Sequence, residues 1–221
     1  GYGAEVVLHG SYFDEAFKKA QELAEEEGRI FVHPYQDKSV IAGQGTIGAE
    51  ILDSLPDIKS VVVPIGGGGL ISGIAFVIKS LKPDCKVYGV VSDQAPGMMQ
   101  MKQGKPQNNP AFISTIADGI AVKNPSPAMY ENYISKYVDE IVSVNDEEIS
   151  QAIVYGMEVE KTILEGSGAA GLAAVLNDKL KLSEPSCIVF CGGNIDLNTI
   201  STVIDTGLRK AGRLARISVI V

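Results

Sequence analysis

Residues 61–73 read Val-Val-Val-Pro-Ile-Gly-Gly-Gly-Gly-Leu-Ile-Ser-Gly, an apolar run, four consecutive glycines and a second apolar run. The first run is typical of a buried strand, and the second predicts a helix that continues through Leu81. Glycine is needed where the backbone approaches a ligand closely or adopts positive φ. The free N–H groups and the dipole at a helix start favour an anion, most often phosphate. The stretch therefore predicts a phosphate-type site on a strand–turn–helix unit, with a tight turn that binds nothing as the alternative.

The spacing of the glycines excludes two common nucleotide-binding motifs. A dinucleotide fingerprint reads Gly-x-Gly-x-x-Gly. Here the register that starts at Gly68 has Leu70 in its middle position, and the two earlier registers end on Ile71 or Ser72. A Walker A loop needs Gly-Lys-Ser/Thr, which the sequence does not contain. The loop by itself therefore indicates a phosphate without saying which molecule carries it.

Strand-like and helix-like runs alternate from one end of the chain to the other, which predicts an α/β fold with a mainly parallel sheet. We expect a helix from Phe13 to Ala24, another over Gly45–Leu55, and a loop-rich segment from Ala95 to Pro127. Further strands are predicted at Glu5–Leu8, Arg29–Val32, Lys86–Val91, Glu140–Val144, Ser186–Cys191 and Ala215–Val221. Because the chain starts and stops within strand-like patterns, we expect both ends to be cuts.

Composition excludes several classes of protein. The 221 residues carry a net charge of −8 without a basic cluster, which argues against nucleic acid or an anionic membrane as partner. We see no apolar run of the roughly 18–20 residues that a membrane span needs, and no signal peptide. The three cysteines, Cys85, Cys187 and Cys191, suit a reducing cytoplasm better than a disulfide framework. With only His9 and His33 present, a multi-histidine metal site is not expected.

Seven segments in order resemble one family. They are Gly3–Leu8, His33–Tyr35, Val40–Gly48, Pro64–Leu70, Ala117–Gly119, Glu165–Ala169 and Cys191–Leu197. The sequence resembles the threonine dehydratases (threonine ammonia-lyases) and their serine dehydratase and serine racemase relatives, which use pyridoxal 5'-phosphate. The resemblance implies the tryptophan-synthase-β-like fold (fold type II), a three-layer α/β structure. Residues 1–32 would then end a small domain, residues 33–212 would form most of a large domain, and residues 213–221 would start a regulatory ACT-like domain.

The same resemblance implies roles for particular residues. The phosphate loop would comprise Gly66, Gly67, Gly68, Gly69 and Leu70. Cys191 would face the pyridine nitrogen, and Glu165 would lie near the cofactor ring. The Schiff-base lysine of the family has no counterpart in this chain, so no catalytic residue is assigned. Relatives that bind a divalent ion use an acidic cluster where this sequence offers only Asp93, so no metal site is expected.

Each of these residues also has a simpler interpretation. Glu165 would serve equally as an ordinary carboxylate at a helix N-terminus, Cys187 is expected to be a small core residue, and Asp118 is expected to form a turn. His9 and His33 are expected at strand ends in surface or supporting roles. Cys191 is the cysteine for which we favour the site: a thiol is a weak donor that cannot keep a pyridine nitrogen protonated, which fits β-elimination better than transamination.

As a function, the resemblance implies deamination of L-threonine to 2-oxobutanoate and ammonia in the parent enzyme, with this chain inactive by itself. It further implies isoleucine biosynthesis, allosteric regulation, a cytoplasmic location and a homo-oligomer (dimer or tetramer). The alternatives are a serine dehydratase or serine racemase, and a non-catalytic fragment that acts as an assembly module.

Overall fold

The computed structural model describes residues 2–10, 13–107, 113–215 and 217. Within this part of the chain, four parallel strands form one sheet in the order β3-β2-β1-β4. The strands are β1 (Ser60–Pro64), β2 (Lys86–Ser92), β3 (Glu140–Val144) and β4 (Ser186–Ile188). The helices are α1 (Phe13–Glu27), α2 (Lys38–Ser54), α3 (Gly69–Leu81), α4 (Gly97–Lys102), α5 (Pro127–Met129), α6 (Ser135–Tyr137), α7 (Asp146–Tyr155), α8 (Gly166–Leu176) and α9 (Leu197–Lys210), with a 3-10 turn at Asp118–Ile120 and π-helical turns at Tyr130–Ile134 and Gly156–Glu160. The predicted α/β fold with a parallel sheet is confirmed.

The sheet lies between two layers of helices. All five residues of β1 are buried, and their side chains alternate between the two faces. Val62 packs into a cluster with residues of α7 and α8, whereas Val61 and Val63 pack into a second cluster with residues of α3. Burial on both faces explains why β1 is a continuous apolar run rather than an alternating one.

Helix α2 packs closely against α3. It starts at Lys38, earlier than the predicted Gly45, because the Asp37 side chain accepts hydrogen bonds from backbone N–H groups of the first turn. Glycines make the close approach possible: a Cβ at Gly73 would lie 2.6 Å from the backbone nitrogen of Gly45. A Cβ at Gly48 would likewise come within 3.0 Å of α3 backbone. This contact fixes the position of α3, whose first turn carries the glycine run.

Two predicted strands are wrong. Glu5–Leu8 and Arg29–Val32 have apolar sequences but belong to no strand of the described sheet, and side chains such as Leu8 and Ile30 are exposed. The predicted strand Ala215–Val221 lies mostly outside the described residues. The division into domains at residues 32 and 212 stays a prediction. Among the described helices, none is both long and apolar enough to cross a membrane.

Candidate functional site

A cavity of about 460 Å³ lies at the carboxyl ends of β1 and β4. Its position in the sheet marks it as the candidate site. The chain leaves β1 to build β2 and β3 on one side and later returns to add β4 on the other. The neighbouring strands β1 and β4 therefore mark the point where the strand order reverses, and ligands of open α/β sheets bind at such points. The volume is in the range of small-molecule sites.

The glycine run after β1 forms one wall of this cavity. Gly68 has φ +95° at the N-cap of α3, a conformation that side-chain-bearing residues rarely adopt. The other three glycines are required by close packing. A Cβ at Gly66 would lie 3.0 Å from Ile120 Cα, and Cβ atoms at Gly67 and Gly69 would collide with Tyr35. Packing alone thus accounts for three of the four glycines, and it is the cavity beside them that distinguishes the loop from a tight turn.

All seven residues assigned from the sequence line this one cavity. They are Gly66, Gly67, Gly68, Gly69, Leu70, Glu165 and Cys191. They come from three separate places in the chain: the loop before α3, the start of α8 and the segment after β4. The sheet topology brings these segments together, since β1 and β4 are paired neighbours and α8 packs on β1.

Glu165 connects the start of α8 to the segment that follows β4. It is the N-cap residue of α8, yet its side chain does not cap the helix. Instead, its Oε2 accepts a hydrogen bond from the backbone nitrogen of Asn194 (2.9 Å), and its own backbone N–H donates to the carbonyl oxygen of Gly192 (3.2 Å). Gly192 has φ +85°, and a Cβ there would overlap the Glu165 carboxylate. Glu165 thus lies at a helix N-terminus, as the simpler interpretation expects, and its side chain in addition holds the segment that follows β4.

Cys191 is the cysteine that lines the cavity. Burial, reinforced by the negative charge of Glu165, raises the pKa of the Cys191 thiol to about 11. The thiol is therefore neutral at physiological pH and acts as a weak hydrogen-bond donor. Cys187 lies in β4, paired with Val61, and packs against the core, and Cys85 is buried. The core interpretation of Cys187 agrees with this position.

The remaining candidates take supporting positions. Asp118 opens the 3-10 turn, where its side chain accepts a hydrogen bond from the backbone nitrogen of Gly119 (2.8 Å), and it also lines the cavity. His33 does not line it. Its Nδ1 accepts hydrogen bonds from the backbone nitrogens of Tyr35 (3.3 Å) and Gln36 (3.1 Å), and burial lowers its pKa. Within the described part of the chain, no group of three potential metal ligands lies together.

Among the cavity residues that sequence reasoning did not assign to the site, Tyr35 and Ser167 carry polar side chains. Both fall inside segments that resemble the family, but neither carries a pattern that identifies a ligand. Tyr35 covers the glycine run from one side, and Ser167 lies in the first turn of α8. Their position could have been inferred only from the pairing of distant segments.

These residues fit a phosphorylated heteroaromatic cofactor. The glycine loop and the start of α3 offer backbone N–H groups and a helix dipole for a phosphate. Beyond the loop, the cavity is lined by Cys191 and Glu165 and has room for a ring. Ser167 adds a buried hydroxyl without a hydrogen-bond partner among the described residues. None of the described residues that line the cavity is a lysine.

Comparison with known proteins agrees with this chemistry. A family model described as pyridoxal-phosphate dependent enzyme matches residues 1–192. The L-threonine ammonia-lyase of Thermotoga maritima is 49% identical over 212 residues, which cover 96% of this chain and 52% of the relative. The chain thus spans about half the length of this curated relative.

Solved structures show the same architecture. Threonine deaminase isoform 2 from Solanum lycopersicum, in its processed form, superposes with a TM-score of 0.82 at 35% identity, covering 92% of this chain and 57% of that one. Maize serine racemase superposes with a TM-score of 0.83 at 33% identity, covering 91% and 64%. The cavity therefore belongs to a fold that a threonine deaminase and a serine racemase share.

Proposed function

Since the chain belongs to the family of pyridoxal-phosphate dependent enzymes, we propose that it holds the cofactor of an enzyme that deaminates L-threonine to 2-oxobutanoate and ammonia by β-elimination. The observation that carries this proposal is the single cavity at the carboxyl ends of β1 and β4, with the glycine run on one wall and Cys191 and Glu165 on another. The similarity to a relative named L-threonine ammonia-lyase supports the choice of substrate.

Different residues of the cavity would bind different parts of the cofactor. Gly66–Gly69 and Leu70 hold the phosphate at the start of α3, where the helix dipole favours an anion. When bound, pyridoxal phosphate supplies an electron sink for negative charge at the Cα of an amino acid. Glu165 holds the segment after β4 in place, so that Cys191 is presented to the cavity.

Cys191 sets the strength of that sink. A carboxylate facing the pyridine nitrogen would keep it protonated, whereas a thiol with a pKa of about 11 is neutral and holds no charge there. With pyridoxal phosphate bound, the neutral thiol would make the ring a weaker electron sink than a facing carboxylate would. This arrangement favours elimination over transamination.

We propose further that no lysine of this chain binds the cofactor covalently. We also propose that the protein is a homo-oligomer, located in the cytoplasm, that acts in isoleucine biosynthesis and is regulated through an ACT-like domain. Deamination or racemisation of serine is the second candidate, because maize serine racemase superposes closely.

Binding and turnover test the proposal separately. The full protein should bind pyridoxal phosphate more tightly than pyridoxal, with inorganic phosphate competing, because the loop takes the phosphate. It should release 2-oxobutanoate from L-threonine with a higher kcat/KM than it shows for L-serine. Equal affinity for pyridoxal and pyridoxal phosphate would refute the role of the loop.

Two further measurements address the alternatives. Accumulation of D-serine, measured by chiral product analysis, would favour the racemase. Borohydride reduction followed by mass spectrometry should label no lysine within these 221 residues. A labelled lysine in this chain would contradict the proposed division of roles.

A further inference from the structure

The glycine run depends on its neighbours for its shape. Gly66–Gly69 have no side chains to restrict them, and glycine loses more backbone freedom on ordering than any other residue. A loop that binds phosphate through backbone N–H groups binds it more tightly when those groups are already fixed before the ligand arrives. Residues that pack against the run therefore contribute to binding even where they do not touch the phosphate.

Tyr35 packs against two of the four glycines. A Cβ at Gly67 would collide with the Tyr35 ring, and a Cβ at Gly69 would lie 2.9 Å from Tyr35 Cα. At both positions the three nearest atoms belong to Tyr35, so no other residue lies between it and the loop. Tyr35 therefore fixes Gly67 and Gly69 from the side on which a side chain would stand.

The segment that carries Tyr35 belongs to no regular element. Residues 29–33 form neither strand nor helix, and the side chains of Ile30 and Val32 are exposed. Tyr35 itself lies in a turn at residues 34–36, directly before the Asp37 cap of α2. The position of Tyr35 therefore depends on the contacts that hold this turn together.

His33 provides such contacts. Its Nδ1 accepts hydrogen bonds from the backbone nitrogens of Tyr35 (3.3 Å) and Gln36 (3.1 Å), which closes the turn. Its ring also meets the Tyr35 ring edge to face, with the centroids 4.5 Å apart, and packs on Phe17 of α1 (5.2 Å). Burial lowers the pKa of His33 although the charge of Asp37 opposes this effect, so the imidazole is neutral at neutral pH and its Nδ1 can accept.

We propose that His33 is a positioning residue of the phosphate site, which holds Tyr35 against Gly67 and Gly69 by accepting hydrogen bonds from the backbone of the turn. This inference rests on the proposed function, because it requires that the glycine run bind the phosphate of the cofactor. His33 does not line the cavity, so its effect reaches the ligand through Tyr35.

The test compares His33→Leu with His33→Asn in the full protein. Leucine removes the acceptor, whereas the Oδ1 of asparagine is separated from Cα by as many bonds as Nδ1 and can accept the same hydrogen bonds. The probes are pyridoxamine phosphate and pyridoxamine, which differ in the phosphate and lack the aldehyde that reacts with a lysine. Their dissociation constants, measured by fluorescence titration without amino acid, give the preference for the phosphorylated probe.

We expect His33→Leu to reduce this preference about tenfold, which corresponds to about 1.4 kcal/mol. His33→Asn should keep it within about threefold of the wild type, because the hydrogen bonds are restored while the ring contacts are not. Tyr35→Ala should also reduce the preference, and adding His33→Leu to it should have no further effect, since the residue through which His33 acts is then gone.

Asn145→Ala is the control for general destabilisation. The Asn145 side chain caps α7 by accepting a hydrogen bond from the backbone nitrogen of Glu148, and no residue of α7 lines the cavity. Removing this cap should lower the free energy of unfolding by about 1 kcal/mol. The preference for pyridoxamine phosphate should stay that of the wild type.

Four results would overturn the inference. The first is a wild-type preference in His33→Leu, and the second is an equal loss in Asn145→Ala, which would indicate general destabilisation. The third is a loss in His33→Asn as large as in His33→Leu, and the fourth is a further loss when His33→Leu is added to Tyr35→Ala. A wild-type protein that binds both probes equally well would instead refute the proposed role of the loop, and the inference with it.

Discussion

Gly168 and Gly171 lie in the same helix, α8, and alanine at each position tests whether the helix holds Cys191 in place. A Cβ at Gly171 would meet side-chain atoms, of which the nearest is 3.1 Å away, and these can shift slightly. A Cβ at Gly168 would overlap the carbonyl oxygen of Cys191 and lie 2.7 Å from its carbonyl carbon. Ordinary contact at that carbon alone requires a backbone movement of about 0.7 Å and the overlap with the oxygen requires more, and no side-chain rotation can relieve either.

The magnitude follows from two opposing effects. Alanine in place of glycine inside a helix stabilises by about 0.5–1 kcal/mol, and overpacking costs about 1–3 kcal/mol. Since the overlap at Gly168 is with backbone, we take the upper part of that range and expect a net destabilisation of about 2 kcal/mol. For Gly171→Ala the two effects nearly cancel, and the free energy of unfolding should stay within about 1 kcal/mol of the wild type.

Two measurements separate the variants. Urea denaturation gives the free energy of unfolding, and mass spectrometry after a timed reaction with iodoacetamide gives the alkylation rate of Cys191. Displacing the Cys191 backbone in Gly168→Ala should expose the thiol and speed its alkylation, because burial is the main reason for its raised pKa. If Gly168→Ala matches Gly171→Ala in both stability and alkylation rate, α8 does not hold Cys191 in place.

Two further predictions concern titrating groups. Because the pKa of Cys191 is about 11, its alkylation rate should rise about tenfold per pH unit from about pH 7 to pH 10, and a plateau above about pH 8.5, the value of a free cysteine, would contradict this. Burial by itself would raise the pKa of Asp139, but hydrogen bonds from Lys79, the backbone nitrogen of Val87 and Lys86 outweigh it and lower the pKa below its ordinary value near 3.8. The folded state is therefore stabilised by the charged carboxylate above that value, and the contribution is lost as pH falls through and below it. Asp139→Asn should lower the free energy of unfolding by about 2 kcal/mol at neutral pH. In urea denaturation, the difference between the variant and the wild type should shrink toward pH 3. A difference that does not change with pH would contradict stabilisation by the charged carboxylate.

The apolar patterns predicted the strand at the centre of the sheet correctly, but they also predicted strands at its periphery that do not form. Val61–Val63 can be buried on both faces only as an inner strand, so the sequence predicted β1 correctly. Glu5–Leu8 has a similar apolar character, yet it pairs with no described strand, because a strand exists only where a neighbour supplies hydrogen bonds. Helix α2 starts at Lys38 rather than at the predicted Gly45, because Asp37 caps it and a cap is not part of the apolar pattern.

The sequence by itself determined the parallel α/β fold, the glycine turn at the start of α3 and the cysteine and carboxylate that the family resemblance assigned to the cofactor. Local sequence suffices for the strand and the turn because burial pattern and glycine stereochemistry act over a few residues, whereas the cysteine and the carboxylate rest on the resemblance. Only the tertiary structure decided that these segments share one cavity, since β1 and β4 are paired across more than a hundred residues of chain. It also decided the raised pKa of Cys191 and the unpaired hydroxyl of Ser167, because burial, nearby charge and missing partners depend on segments that are distant in the chain.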